Sequence, residues 1–241
     1  MTTIIDIKPG TFGGALRNGD MIGVANVVEY LRKTRKDSTI KFNIIQEWPG
    51  INSEKYCQDF YQFLLNATDY FTILPGQETL PWRRVNLWDF RDISGDLVKI
   101  PNKVEMKKKI VVFPLFDAPY NVYRNWPNIL FEDIIDKYNT EQYDDYEKII
   151  CIKDRHNRPD YKKWKYSHDF MTNIHHIQEA EIFIGGDTGT SHFAWALDRG
   201  PEELIYYNSS RGLVHTLPFY LTQGKGKLNT YWLDFESTQW Q

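Results

Sequence analysis

Short apolar runs alternate along the chain with segments whose apolar residues recur every three or four positions, a pattern that predicts an α/β protein. Residues 2–7 (TTIIDI) read as a first strand. A glycine-rich turn follows, Gly10-Thr11-Phe12-Gly13-Gly14, and residues 15–20 then lead into a helix over 24–33. Ile22, Val27, Val28, Tyr30 and Leu31 fall on one face of that helix. Residues 40–45 predict a second strand, 57–65 a helix with Phe60, Phe63 and Leu64 turned inward, and 70–74 a third strand. Strand, glycine-rich turn, helix and strand in that order open a parallel α/β unit.

Periodicity fades between residues 75 and 102, where Pro75, Gly76, Pro81, Gly95 and Pro101 interrupt the chain. This stretch predicts a boundary near residue 104, with an N-terminal domain over 1–103 and a C-terminal domain over 104–241. The run Lys107-Lys108-Lys109 reads as a solvated linker. A second α/β run follows: a strand at 110–113, a loop at 114–125, a helix at 127–138 opened by Pro127, a strand at 149–152, a helix at 169–179, and strands at 181–184 and 204–207.

The segment EIFIGGDTGTSHFAWAL, residues 181–197, carries the most chemistry. A buried strand enters a turn at Gly185-Gly186, and Asp187, Thr188, Gly189, Thr190 and Ser191 lead into a helix bearing His192, Phe193, Ala194 and Trp195. Free N–H groups and the positive end of a helix dipole over such a turn suit a phosphate or diphosphate. The plainer reading is a strand–turn–helix joint with Thr190 or Ser191 as N-cap.

Composition narrows the field only modestly. Hydrophobic residues at 41% and charged residues at 25% describe an ordinary soluble protein, and 241 residues suffice for one large or two small domains. A net charge of −3 weakly disfavours a polynucleotide partner. Cys57 and Cys151 lie far apart without metal-ligand spacing and read as core thiols in a reducing, cytoplasmic setting. Neither a signal peptide nor a membrane span is visible. Frequent Asn, Lys, Ile and Tyr fit an AT-rich genome, such as that of some phages.

Two α/β runs of similar size suggest two Rossmann-like halves facing across a cleft, with ligand loops at 10–20, 114–126, 153–159 and 185–192. FPLFDAPYNVYRNWPNILFEDIID (113–136) and FMTNIHHIQEAEIFIGGDTGTSHFAWAL (170–197) resemble the C-terminal half of glycosyltransferase family 9, the heptosyltransferase-like enzymes of GT-B fold. Residues 113–136 resemble that family's strand, loop and basic-x-Trp-Pro segment. Residues 170–197 resemble its Asp-Ser/Thr-Gly-x-x-His-x-Ala-x-Ala-Leu signature, with Asp187, Thr188, Gly189, His192, Ala194, Ala196 and Leu197 in register. GGALRNGDMIGVANVVEYLRKTRKDSTIKF (13–42) is similar to the family's opening more loosely, through Gly19-Asp20. The chain is shorter than typical members and the missing length falls in the acceptor half, which leaves the acceptor open.

The resemblance implies sugar transfer from a nucleotide-activated donor to a hydroxyl acceptor, with a nucleotide sugar as co-substrate and no other cofactor. No DxD-type metal motif stands in a suitable place, Asp144-Asp145 being a polar surface pair, so metal independence is expected. The backbone at Thr188, Gly189 and Thr190 is then expected to hold the diphosphate, with the Thr188 hydroxyl as a further donor. Arg124, where the family has a lysine, would give that diphosphate a charge-assisted contact. Asp187 would hold donor-sugar hydroxyls or cap the turn, and His192 would face the donor or serve as a satisfied core residue. Lys153 and Asp154 would reach the nucleotide or form a surface loop, and Arg211 and His215 are weaker candidates.

Asp20 is the expected catalytic base, or alternatively an N-cap of its helix. Gly13, Gly14 and Arg17 would meet the acceptor. That acceptor is a glycan or lipid-linked sugar, or else a hydroxymethylated base in DNA, for which Arg32, Lys33, Lys36, Arg83, Arg84 and Arg91 are available to phosphates. A nucleotide-sugar epimerase or hydrolase, and a non-catalytic nucleotide-sugar-binding module, are the competing classes.

Overall fold

The computed structural model describes residues 4–7, 17–44, 54–72, 98–114, 125–152, 159–186, 188–208 and 227–232. The chain divides into two compact units, Met1–Pro101 and Asn102–Gln241. Among the described residues no helix is long and apolar enough to cross a membrane.

The first unit contains β1 (Ile4–Ile7), α1 (Asn18–Arg35), β2 (Lys41–Ile44), α2 (Lys55–Ala67) and β3 (Phe71–Thr72). Its strands are parallel in the order β1-β2-β3, with Ile4 opposite Lys41 and Phe42 opposite Phe71. Helix α1 starts at Asn18, well before the apolar periodicity predicts. Asp20 explains the early start: its Oδ2 accepts the backbone N–H of Arg17 at 2.9 Å, which closes the first turn from position N3. Asp20 is thus a first-turn residue of α1 and not its N-cap, which is Arg17.

The second unit carries β4 (Lys107–Phe113), α3 (Asn128–Tyr138), β5 (Glu147–Cys151), β6 (Lys165–Ser167), α4 (Phe170–Glu179), β7 (Ala180–Gly186), α5 (Gly189–Ala196), β8 (Glu203–Asn208) and β9 (Lys227–Trp232). All six strands are parallel, in the order β6-β5-β4-β7-β8-β9. Counted within the unit this is 3-2-1-4-5-6, the doubly wound order of dinucleotide-binding folds. Period-two alternation divides the core. Ile110, Val112, Ile150, Ile182 and Ile184 pack with Phe131, Ile134, Ile135 and Tyr138 of α3. Val111 and Phe183 alternate with them and are buried on the opposite face, the one covered by α4 and α5.

Helix signals in the sequence act as expected at α4, where Asp169 is the N-cap and its Oδ2 accepts the Thr172 N–H at 2.7 Å. Strands β6 and β9 have no counterpart in the sequence reading. Cys57 and Cys151 are buried free thiols; burial pushes Cys57 up to about 11 and raises Cys151 too.

The lysine run is not a solvated linker. Lys107, Lys108 and Lys109 are the first three residues of β4, and alternation sends them to opposite faces. Lys108 pairs with Asp145 at 2.5 Å and sits over the Tyr146 ring. Lys107 and Lys109 both pair with Glu179 at the end of α4. Lys109 is only 2% exposed; its Nζ also lies 3.1 Å from Glu147 and 3.2 Å from His176 Nδ1. A charged run on a central strand escapes burial as bare charge here because an acidic helix end lies directly above it.

Burial alone would raise the Glu179 carboxyl, but hydrogen bonds from Lys107 and Lys109 outweigh it and hold the group at about 2, against an ordinary 4.5. A depressed carboxylate stabilises the fold fully above 4.5, and that contribution is lost as pH falls toward 2. For a group this buried the contribution is on the order of 3 kcal/mol. We expect Glu179→Gln to flatten the acid limb of stability against pH, measured by urea unfolding between pH 6 and 2.5. Parallel curves for the two proteins would contradict this assignment.

Asn102 opens the second unit and is 2% exposed. Its Nδ2 donates to the carbonyls of Gln178 (2.8 Å) and Arg199 (2.6 Å), and its backbone N–H to Asp198 Oδ1 (2.7 Å). Its own carbonyl accepts from Arg199 Nη2 at 2.8 Å.

Candidate functional site

Strands β4 and β7 are neighbours, with Phe113 opposite Gly185, but the helices that follow them cover opposite faces of the sheet. Their carboxyl ends therefore form the topological switch point, where open α/β sheets leave a crevice for ligands. The sequence reading puts Gly185 and Gly186 in the turn; both instead complete β7, where they pair with Tyr206 and Tyr207 of β8. Their missing side chains are occupied space. A Cβ on Gly185 would lie 2.5 Å from Ser191 Oγ and 2.7 Å from the Phe183 ring, and one on Gly186 would lie 2.8 Å from Trp126 Nε1.

From Gly186 the backbone turns at once into α5. The Gly186 carbonyl accepts the Thr188 N–H at 2.8 Å and the Ser191 hydroxyl at 2.5 Å. Thr188, not Thr190 or Ser191, is the N-cap: its carbonyl accepts the N–H groups of Ser191 (3.1 Å) and His192 (3.3 Å). The difference of two or three positions arises because Gly189 is helical here and Ser191 is engaged backward, on the strand end. The Thr188 and Thr190 hydroxyls share a hydrogen bond of 2.7 Å.

Among the described residues, the N–H groups of Gly189 and Thr190 have no acceptor, as helix geometry requires of a first turn. Gly189 is half-buried and Thr190 buried. These two donors and the positive end of the α5 dipole face the carboxyl edge of the sheet. Thr188, by contrast, has its N–H engaged by Gly186.

The structure thus brings Thr188, Gly189, Thr190 and His192 together at one turn, with His192 half-buried on α5. Trp126, in the loop after β4, packs beside the end of β7 within the core on the α3 face. It is 2% exposed, packs edge-on against Tyr207 at 5.3 Å between ring centroids, and turns its Nε1 toward Gly186. That Nε1 has no hydrogen-bond partner among the described residues. The sequence reading includes Ser191 in the turn and Trp126 in a ligand loop; that the indole fills the space left by the Gly186 side chain is not visible from sequence.

Arg124, Lys153, Asp154 and Asp187 lie outside the described residues, as do Gly13, Gly14, Arg83, Arg84, Arg91, Arg211 and His215. In the first unit Arg17 is exposed at the start of α1 and Asp20 is half-buried in the cap already described. Arg32 is held within the fold: its Nε donates to the Ile40 carbonyl at 2.8 Å and its Nη1 to Asp69 at 2.9 Å, while the guanidinium lies over Tyr70. Asp144 and Asp145 are more than half exposed and pair with Lys163 (2.6 Å) and Lys108. Among the described residues no cluster of His, Cys, Asp and Glu is arranged to hold a metal ion.

The arrangement defines an α/β protein whose second unit is doubly wound, with an anion-compatible helix start at its switch point. Comparison with family models, with curated proteins and with solved structures gives no match.

Proposed function

We propose that this chain is a glycosyltransferase of GT-B type that binds a nucleotide-activated sugar at the switch point of its second unit. The observation that carries the reading is the β7–α5 joint, in which two glycines, a hydroxyl cluster and two open N–H groups occupy the place where doubly wound sheets bind phosphates. The Asp-Thr-Gly-x-x-His-x-Ala-x-Ala-Leu pattern, which resembles glycosyltransferase family 9, falls on that joint.

In the reaction the acceptor hydroxyl attacks the anomeric carbon, the bond from that carbon to the nucleotide diphosphate breaks, and the acceptor proton passes to a carboxylate. Gly189 and Thr190 stabilise the departing diphosphate through their N–H groups, and Arg124 supplies positive charge. Asp20 is the proposed base. Its engagement in the α1 cap also favours a second reading, a nucleotide-sugar-binding module or hydrolase that does not use Asp20. Arg32 is committed to Asp69 and Ile40 while Lys33 and Lys36 are exposed, so the proposed acceptor is a glycan hydroxyl or a hydroxymethylated base in DNA.

The test is thermal unfolding with ADP, GDP, UDP, CDP and the matching nucleotide sugars. One base is expected to raise the melting temperature by several degrees at about a hundredfold excess over Kd, worth about 2.7 kcal/mol. Arg124→Ala and Thr188→Ala should each reduce that shift. No response to any nucleotide would end the glycosyltransferase reading, and product formation without Asp20 would favour the second one.

A further inference from the structure

Lys109 and His176 meet at the amino edge of the second sheet, where α4 ends against the start of β4. Lys109 Nζ lies 3.2 Å from His176 Nδ1. An ammonium group can only donate, so the imidazole accepts at Nδ1 and, being neutral, carries its own proton on Nε2. Protonation would remove the lone pair that takes this bond. It would also set a second cation against Lys109, which is 2% exposed.

No carboxylate beside the pair is free to take up that charge. The groups facing it are Lys107 of β4, Glu147 of β5, Lys165 of β6, and His175 and Glu179 of α4. Glu179 already pairs with Lys107 and Lys109 and has His175 Nε2 at 3.6 Å. Glu147 already pairs with Lys109 at 3.1 Å and Lys165 at 3.0 Å. Among the described residues, three lysines therefore share two carboxylates before either imidazole gains a proton. Burial first, then Lys109, and more weakly His175 hold His176 below its ordinary 6.5, against the pull of Glu147 and Glu179.

We infer that the Lys109–His176 contact is an acid-sensitive latch, which fastens the last turn of α4 to β4 while His176 is neutral and is undone when His176 takes a proton. The latch stands at the opposite end of the strands from the β7–α5 joint, so it holds or fails independently of the donor-site reading. A histidine with a depressed value in the fold stabilises it fully above 6.5, and that contribution is lost as pH falls through 6.5. Glu179, held at about 2, stays ionised over the same range and leaves the change to His176.

The experiment is a long-range ¹H–¹⁵N spectrum of the imidazoles of the full chain, followed from about pH 7.5 to about pH 5. The chain has 6 His, each ring being assigned from its own backbone signals. His176 should show the Nε2–H tautomer and titrate below 6.5. Thermal unfolding over the same range reads the latch: wild type should lose several degrees on acidification, and His176→Gln clearly fewer. The glutamine Oε1 can still accept from Lys109 but takes no proton. His175→Gln is the control, since that ring is 57% exposed and touches Glu179 rather than Lys109; it should keep the full loss. An Nδ1–H tautomer at His176, titration at or above 6.5, or equal losses in His176→Gln and wild type would overturn the inference. The tautomer and the titration decide it in the wild-type protein even where a variant does not fold.

Discussion

Replacing Glu179 with glutamine is expected to lower the melting temperature of the second unit by roughly 10 °C. The reason is the charge it abandons. Lys109 is 2% exposed, and Glu179 is its most enclosed partner, with 8% of its side chain accessible. Breaking a buried pair by removing one member costs about 3–5 kcal/mol, because the remaining ion has neither water nor a counter-charge. Glu147 stays 3.1 Å away but is 38% exposed, and His176, held below its ordinary value by burial and by Lys109 itself, offers no negative charge. Taken at the lower end, about 3 kcal/mol, and at about 2–4 °C per kcal/mol for a unit of this size, the shift is near 10 °C. The double variant Lys109→Met, Glu179→Leu should recover most of it, since apolar replacement of a whole buried pair is often neutral. Calorimetry on the three proteins measures both effects; a single variant within about 1 kcal/mol of wild type would mean that Glu147 alone suffices for Lys109.

Gly185→Ala is expected to have the next largest effect. The new methyl would sit 2.5 Å from Ser191 Oγ and 2.7 Å from the Phe183 ring, distances at which something must move. Ser191 cannot yield freely, because its hydroxyl is bound to the Gly186 carbonyl at 2.5 Å and so fixes the course of the backbone into α5. Overpacking of this kind costs about 1–3 kcal/mol, several degrees in melting temperature. Ligand binding should suffer more than stability, since displacing Ser191 reorients the Gly189 and Thr190 N–H groups. Thermal unfolding with and without a diphosphate should show a modest fall in the free protein and loss of the ligand-induced shift. Adding Ser191→Ala removes one of the two obstructions and should restore part of the stability. A Gly185→Ala protein that melts and responds like wild type would refute the packing described for this turn.

The sequence is most legible where local signals coincide. Pro127 and the recurrence of Ile129, Leu130, Ile134 and Ile135 mark α3, although Ile129 is exposed; Asp169 marks the start of α4, and the apolar run 181–184 marks β7. It is least legible where a distant partner decides. Lys109 reads as solvent-facing until Glu179, 70 residues away, is placed above it. The early start of α1 is hidden because Gly19 and Gly23 dilute the apolar pattern and the decisive bond, from Arg17 to Asp20, is a polar one. Strand β6 has only three residues, too few for a period, and β9 takes its place by pairing with β8 rather than by any pattern of its own. At the candidate site the turn is recognisable from Gly185 to Ser191. Which N–H groups remain open, and that Trp126 fills the space beside Gly186, depend on strand order, and strand order is a set of non-local pairings that no local pattern encodes.

The position of Asn102 bears on how the protein can be divided for experiment. A C-terminal fragment begun at residue 104, where composition shifts, would leave the carbonyls of Gln178 and Arg199 without their amide donor and Asp198 and Arg199 without their backbone partners. Two residues upstream Ile100 is fully buried and belongs to the other unit, and the Lys99 N–H is bonded to the Tyr70 hydroxyl at 3.3 Å. Only Pro101, exposed and between the two anchors, is free of both obligations. Fragments meant to fold by themselves should therefore part at that proline, and a fragment that retains Asn102 should resist proteolysis better than one only two residues shorter.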